Sequence, residues 1–162
     1  MPKILVVEND PKSVKELSQN LGRFLEIDDG WTVMEVSSGK DALQTLYSKS
    51  IQLVISPTNT DDMPHGNLFS EMSRDEALSD IPVIALSKNK EEEQDALGKG
   101  AVDFFTTPIS DYSAIAAKAQ THAMRSMQTI NLKRAAEMVA LLKDMDNIQS
   151  VMLESLVDFC HQ

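Results

Sequence analysis

Residues 3–11 of the chain read Lys3-Ile4-Leu5-Val6-Val7-Glu8-Asn9-Asp10-Pro11. The apolar part of this stretch does not alternate with polar residues, which is typical of a strand buried on both faces of a parallel sheet. Asn9 or Asp10 then offers a helix cap, and Pro11 suits a first helical turn, where no backbone N–H is needed. The stretch therefore predicts a strand that passes through a short polar turn into a helix.

The same strand-to-helix pattern recurs along the chain. Short apolar runs predict strands at residues 3–7, 31–36, 51–55, 81–86 and 102–105, and helical spacing predicts helices at about 11–25, 38–49, 68–78 and 91–99. Repeated units of this kind favour an open parallel sheet with helices on both faces, joined by right-handed crossovers. In such sheets the functional residues follow the carboxyl ends of the strands.

Composition narrows the classes of function. The 162 residues include 25 Asp plus Glu and 15 Lys plus Arg, for a net charge of −10. This charge argues against a nucleic-acid partner, because phosphate contacts need clustered cations. No apolar run approaches the ~20 residues that cross a membrane, and the single cysteine, Cys160, can form neither an internal disulfide nor a zinc site. We therefore predict a soluble cytoplasmic protein that binds neither nucleic acid nor a membrane.

Four motifs in order resemble those of the receiver domain of bacterial two-component response regulators, the CheY-like family. They lie at residues 4–11, at 53–56 with the following Met63-Pro64, at 81–87 and at 100–109. The resemblance covers about residues 1–122 and implies a flavodoxin-like, doubly wound α/β fold with strand order 2-1-3-4-5. It also implies a role in phosphorelay signal transduction.

The resemblance further implies a phosphorylation pocket, and this sequence departs from the family there. In the family, an Asp that ends the third strand accepts the phosphoryl group, and two acidic residues after the first strand hold Mg²⁺. A Ser or Thr after the fourth strand and a Lys after the fifth bind the attached phosphoryl group. Pro57 stands in place of that Asp, Thr107 in place of the Lys, and Glu8 and Asn9 in place of the acidic pair. Only Ser87 matches without reservation.

These departures predict a degenerate pseudo-receiver. Proline has neither an ionisable oxygen nor an N–H, so Pro57 can neither accept phosphate nor bind a metal. Mg²⁺ needs concentrated negative charge. Glu8 is the one carboxylate among the five residues at the pocket positions. We therefore expect no catalytic residues, no metal and no cofactor. By the same resemblance, Phe104 occupies the position of the family's switch aromatic. The acidic run Glu91-Glu92-Glu93 suits the first turn of a helix, because negative charges there are stabilised by the helix dipole.

Two alternatives stay open at this point. Asp61 or Asp62 could act with Mg²⁺ as a displaced phosphoryl acceptor, although a solvated loop also accounts for both carboxylates. Residues 148–162 resemble the entry helix that precedes HD-GYP phosphohydrolase domains. The chain could accordingly be the N-terminal part of a receiver–HD-GYP protein that continues past Gln162.

The last part of the chain predicts one long helix. All six glycines and all six prolines precede Tyr112, and Ser110 is the predicted helix cap. Such a helix far exceeds the last helix of a receiver. We assign residues 123–162 to a helical extension, a coiled-coil linker to an effector domain outside this sequence.

A repeat of seven residues predicts that this helix has a partner. The dimer seam comprises Met124, Asn131, Met138, Leu141, Met145, Ile148 and Met152. A lone helix would leave this apolar seam in water, and an Asn at a seam position favours two-stranded pairing. We predict a homodimer, with parallel pairing favoured over antiparallel, that regulates an effector domain or a partner protein. The alternative is an amphipathic helix that folds back on its own domain, either unbroken or as two helices with a break near residues 144–147.

Overall fold

A computed structural model of the chain describes residues 2–25, 30–63 and 67–160, apart from the side chains of residues 67 and 148–160. The strands are β1 (Lys3–Val7), β2 (Thr32–Val36), β3 (Leu53–Pro57), β4 (Val83–Ser87) and β5 (Asp103–Thr106). The helices are α1 (Pro11–Leu25), α2 (Gly39–Ser48), α3 (Asn67–Arg74), α4 (Glu93–Gly98) and α5 (Tyr112–Cys160), and a 3-10 turn (Lys90–Glu92) precedes α4.

All five strands pair in parallel, in the order β2-β1-β3-β4-β5. This confirms the predicted doubly wound, flavodoxin-like sheet. β1 is apolar from Ile4 to Val7 because it is buried on both faces, as the sequence predicts. Alternate residues of the strand belong to two separate core clusters. Ile4 and Val6 pack with residues of α1 and α5, whereas Leu5 and Val7 pack with residues of α2, α3 and α4.

Pro57 ends a central strand, a position that proline tolerates only where its nitrogen has no ladder bond to make. The amides of Val54 and Thr58 donate to the carbonyls of Pro82 and Leu86 on the β4 side. Because successive amides alternate in direction, the nitrogen of Pro57 points toward β1. Pairing with β1 ends at Ile55, so Pro57 stands beyond the last paired residue on that side.

Several predicted boundaries were wrong by a few residues for local reasons. The helix predicted at 68–78 ends at Arg74, because the side chain of Asp75 accepts from the amide of Ala77 at 2.9 Å and closes a turn. The strand predicted at 51–55 lies two residues later, and the helix predicted at 91–99 is a 3-10 turn followed by α4.

The predicted cap of the last helix was also wrong. The Asp111 carboxylate, rather than Ser110, accepts from the amides of Ser113 and Ala114 at 3.0 and 3.3 Å. At the start of α1 the cap is Asp10, one of the two predicted candidates, and at the start of α2 it is Ser38, for which no cap was predicted. Asp10 accepts from the amide of Lys12, and the Ser38 hydroxyl accepts from the amide of Asp41, each at 3.1 Å.

The chain divides into two compact units, Met1–Met127 and Gln128–Gln162. Within the second unit, α5 runs through residues 144–147 without the break that one form of the alternative included. Large apolar side chains between residues 132 and 145 are more than half exposed, namely Leu132, Met138, Val139, Leu141, Leu142 and Met145. No helix of the described residues is long and apolar enough to span a membrane.

Candidate functional site

A cavity of about 280 Å³ opens at the carboxyl edge of the sheet. Its lining includes four of the five predicted pocket residues, Glu8, Pro57, Ser87 and Thr107. The other lining residues are Thr58, Asn59, Leu86, Lys88, Asn89 and Glu92. The predicted positions therefore meet in one place, with Asn9 outside the lining.

The register of the sheet explains why these residues meet. β3 and β4 pair up to Pro57 and Leu86, and β4 and β5 pair up to Ser87 and Thr106. Beyond the last pairs, the amide of Thr107 donates to the Ser87 carbonyl at 2.9 Å. Parallel strands end at the same edge, so residues that follow each strand face a common space.

The end of β3 carries no free polar side chain toward the cavity. Pro57 is half-buried and has only its backbone carbonyl as a polar group, and that oxygen accepts from the Ser56 hydroxyl at 3.0 Å. Ser56 itself is fully buried. Pro57 therefore contributes shape to the cavity and no side-chain oxygen.

Asn9 is used by the loop that follows β3. Its side-chain oxygen accepts from the amide of Asp61 at 3.2 Å, and its own amide donates to Glu8 Oε1 at 3.0 Å. An amide oxygen can serve as a metal ligand, but here it has a backbone partner. Asn9 thus holds the β3–α3 loop against the end of β1.

Asp62 is placed at the start of α2. Its two carboxylate oxygens accept from the amides of Gly39 and Lys40, each at 2.9 Å. These hydrogen bonds from Gly39 and Lys40 hold the pKa of Asp62 below its ordinary value. An anion at a helix N-terminus is stabilised by the unpaired amides and the helix dipole, so Asp62 anchors the loop, whereas the side chain of Asp61 is exposed.

The residues at the predicted metal positions do not fit Mg²⁺. Mg²⁺ prefers several oxygen ligands with concentrated negative charge. Glu8 is the one carboxylate at the predicted metal positions, since Pro57 has no side-chain oxygen and the Asn9 oxygen faces the amide of Asp61. Within the described part of the chain, no group of three or more His, Cys, Asp or Glu residues is arranged to hold a metal ion.

Glu92 is a cavity residue that sequence reasoning missed. Its Oε2 accepts from the Ser87 hydroxyl at 2.6 Å and from the Thr58 hydroxyl at 2.5 Å. These two hydrogen bonds, that of Ser87 first, hold the pKa of Glu92 below its ordinary value against the opposing effect of burial. The interpretation of residues 91–93 as a set of helix-dipole charges overlooked this contact. The only available signal was a carboxylate five residues after a strand-end hydroxyl.

Phe104 lies away from the cavity lining. It is half-buried and packs against the core cluster that contains Leu5 and Val7. Its neighbour Asp103 accepts from the Phe104 amide at 2.9 Å, and Asp103 Oδ2 lies 3.3 Å from His122 Nε2. The switch role assigned to Phe104 by resemblance stays a prediction.

The seam residues of the predicted dimer helix fall in three groups. Met124 belongs to the first unit, and Asn131, Met138, Leu141 and Met145 belong to the second and are exposed. The side chains of Ile148 and Met152 lie outside the described residues.

Comparison with known proteins identifies the family. A model of the response regulator receiver domain matches residues 4–120. A probable cyclic di-GMP phosphodiesterase of Vibrio cholerae is 29% identical over 109 residues, which are 66% of this chain and 23% of that protein. The transcriptional regulatory protein GlrR of Escherichia coli K12 is 29% identical over 108 residues, with 65% and 23% covered. The chain thus matches less than a quarter of the length of either relative.

Solved structures agree on the fold. The signal receiver domain of a signal transduction histidine kinase from Syntrophus aciditrophicus superposes with a TM-score of 0.66 at 25% identity, covering 76% of this chain and 91% of that one. The chemotaxis protein CheY4 of Vibrio cholerae gives a TM-score of 0.63 at 20% identity, with 75% and 98% covered. This chain belongs to the response regulator receiver domain family.

Proposed function

We propose that this receiver is a cytoplasmic signalling module that works without phosphorylation. In this proposal it regulates an attached or partner output domain through dimerisation and protein contacts and catalyses no reaction. The single observation that supports it most is Pro57 at the end of β3, where it lines the cavity without a side-chain oxygen. Thr107 likewise leaves the β5 side of the cavity without a cation that would pair with phosphoryl oxygens.

Exposure to phosphoryl donors tests this proposal. Wild-type protein is treated with Mg²⁺ and either acetyl phosphate or beryllofluoride, and followed by intact mass and by the amide NMR signals of Ser87 and Thr107. We expect no adduct and no saturable shift. A variant carrying Asn9→Asp, Pro57→Asp and Thr107→Lys serves as the positive control, since it restores the family's residue types.

An adduct on the wild-type chain would contradict the proposal and favour the alternative acceptors. Asp61→Ala and Asp62→Ala variants would then locate it. Asp61 is the more accessible of the two, because both oxygens of Asp62 already accept backbone hydrogen bonds.

Homodimerisation is proposed from the second unit taken by itself. Its exposed apolar side chains, with Leu132 at 71% and Leu141 at 59% exposure, would be stabilised by burial against a second copy. Light scattering of the full chain should report a dimer, and Met138→Lys with Met145→Lys should give a monomer. Ala140→Lys, on the opposite side of the helix, is the matched control and should stay dimeric. A monomeric wild-type chain would contradict this part.

The relative from Vibrio cholerae supports one specific class of output. That protein is named a probable cyclic di-GMP phosphodiesterase, which agrees with the resemblance of residues 148–162 to the entry helix of HD-GYP domains. We keep a receiver that controls such a phosphodiesterase as the second candidate function. Sequencing the gene beyond the codon for Gln162 tests it, since HD and GYP motifs there would support it and a DNA-binding domain would contradict it.

A further inference from the structure

The chain places one of its own carboxylates among the donors of the cavity. Thr58 Oγ1 and Ser87 Oγ both donate to the same oxygen of Glu92, at 2.5 and 2.6 Å. The amide of Asn89 donates to Ser87 Oγ at 3.1 Å. Because an ionised carboxylate can only accept hydrogen bonds, the hydroxyl proton of Ser87 is directed toward Glu92.

The backbone fixes both sides of this contact. Thr58 follows β3, and its amide donates to the Leu86 carbonyl at 2.9 Å, while Ser87 is the last residue of β4. On the other side, the amide of Glu92 donates to the Asn89 carbonyl at 3.1 Å and closes the 3-10 turn. Glu92 therefore reaches from the turn before α4 back to the ends of two strands.

The electrostatic surroundings favour an ionised Glu92. Hydrogen bonds from neutral hydroxyls to a carboxylate are shorter and stronger than bonds between neutral groups. Those from Ser87 and Thr58 lower the pKa of Glu92, whereas burial and the charge of Asp95 on α4 act in the opposite direction. Glu8 and Lys88 line the same cavity with charges of opposite sign.

We propose that the hydroxyls of Thr58 and Ser87 form a carboxylate-binding site and that Glu92 of the same chain is its ligand. The contact fastens the connection 88–92 to the ends of β3 and β4 without any added group. A surface of exposed residues, Lys88, Asn89, Lys90 and Glu91, is thereby held in one arrangement. This inference goes beyond the proposed function, because it holds whether or not the chain accepts phosphate.

Chemical rescue tests the site directly. Glu92→Ala removes the ligand and leaves both hydroxyls in place, and sodium acetate is the probe added back. In the variant we expect saturable amide shifts at Thr58, Ser87 and Asn89 on titration with acetate. Without acetate, amide exchange at Asn89 should rise about tenfold, the size expected for loss of one hydrogen bond to a charged group, and acetate should reverse the rise.

The matched control is Glu91→Ala, which removes the same charge from the neighbouring, exposed position. This variant and the wild type should show neither acetate-dependent shifts at the three amides nor faster exchange at Asn89. Equal effects in Glu91→Ala would overturn the proposal. They would show that the loss of one negative charge, rather than the loss of the Glu92 hydrogen bonds, causes the changes. Absence of acetate binding by Glu92→Ala would overturn it as well.

Glu92→Gln keeps the test decisive if the alanine variant does not fold. The amide has the same shape but no charge, so exchange at Asn89 should rise while acetate, whose place is filled, leaves the signals unchanged. Exchange equal to that of the wild type would contradict the proposal. None of these measurements uses a phosphoryl donor, so they fail or succeed independently of the phosphorylation test.

Discussion

Apolar side chains meet opposite surroundings in the two units of the chain. In Met1–Met127 the strand residues Ile4, Val6 and Ile55 are fully buried between layers of the same unit. Between residues 132 and 145 of the second unit, six large apolar side chains are more than half exposed. The first unit thus completes its core by its own contacts. The second has backbone hydrogen bonds and an apolar surface that only another molecule or segment would cover.

The largest expected effect tests whether the first unit is stabilised by its own buried apolar side chains. Ile55→Ala should lower the free energy of unfolding by about 2–5 kcal/mol, because it leaves a cavity in a packed core. Leu132→Ala should change the free energy of unfolding of the first unit by no more than about 0.5 kcal/mol, since Leu132 belongs to the second unit and to neither core cluster of the first. Urea unfolding followed by the single tryptophan, Trp31, measures both, because Trp31 is 8% exposed and belongs to the first core cluster. Comparable losses of unfolding free energy in the two variants would contradict this difference between the units.

Close packing at a glycine gives the next effect. A Cβ on Gly39 would lie 2.5 Å from Met63 Sδ, and Met63 is buried. Gly39→Ala should therefore destabilise the first unit by about 1–3 kcal/mol through overpacking. Gly98→Ala is the matched control, because nothing lies within 4 Å of its added Cβ. It should be neutral or stabilise by up to about 1 kcal/mol in the same urea measurement.

The start of α5 allows a comparison of two neighbouring residues, Asp111 and Ser110, as the N-cap of the helix. Asp111→Ala should lower the free energy of unfolding by about 1 kcal/mol, the usual cost of losing an N-cap acceptor. Ser110→Ala, one residue earlier, should have almost no effect. Parallel urea titrations of the two variants decide between the sequence-based cap and the observed one. A larger loss for Ser110→Ala would contradict the hydrogen bonds to Asp111.

The smallest effect concerns the pH dependence of Asp62. Its pKa is lowered in the folded protein by the amides of Gly39 and Lys40. The ionised form therefore contributes stability above the unfolded pKa, and this contribution is lost as the pH falls through the lower, folded pKa. Because Asp62 is exposed, we expect about 1 kcal/mol or less. Urea unfolding between neutral and acid pH should show a weaker pH dependence for Asp62→Asn than for the wild type, and an equal pH dependence would contradict the prediction.

Much of the fold could be predicted because short-range patterns decided it. The non-alternating run of β1 required helices on both faces, and the cap at Asp10 followed from a side chain beside the first helical turn. One error fell where two neighbouring polar residues competed for one role. Ser110 and Asp111 are equally acceptable caps by residue type, and only the backbone path selects Asp111.

The sequence indicated those residues of the candidate site that stand at strand ends. It did not indicate the contacts of residues that lie in the connections between strands and helices. Glu8, Pro57, Ser87 and Thr107 each stand at a strand end, so a parallel sheet brings them to one cavity. Glu92 reaches that cavity from a 3-10 turn whose conformation no periodicity reveals. Asp62 was assigned to a solvated loop or a displaced acceptor, and its actual partners lie more than twenty residues away on α2.

The amino-acid sequence alone was sufficient for the strand order, through family resemblance, and for the absence of a side-chain oxygen at Pro57, because residue type settles what a side chain lacks. It was also sufficient for the apolar repeat of the long helix. The tertiary structure alone decided which carboxylates face which donors. Hydrogen bonds at 2.5–2.9 Å depend on the relative positions of segments far apart in the chain. The three-dimensional paths of two connections therefore made Glu92 a ligand of the cavity and Asp62 an anchor of α2.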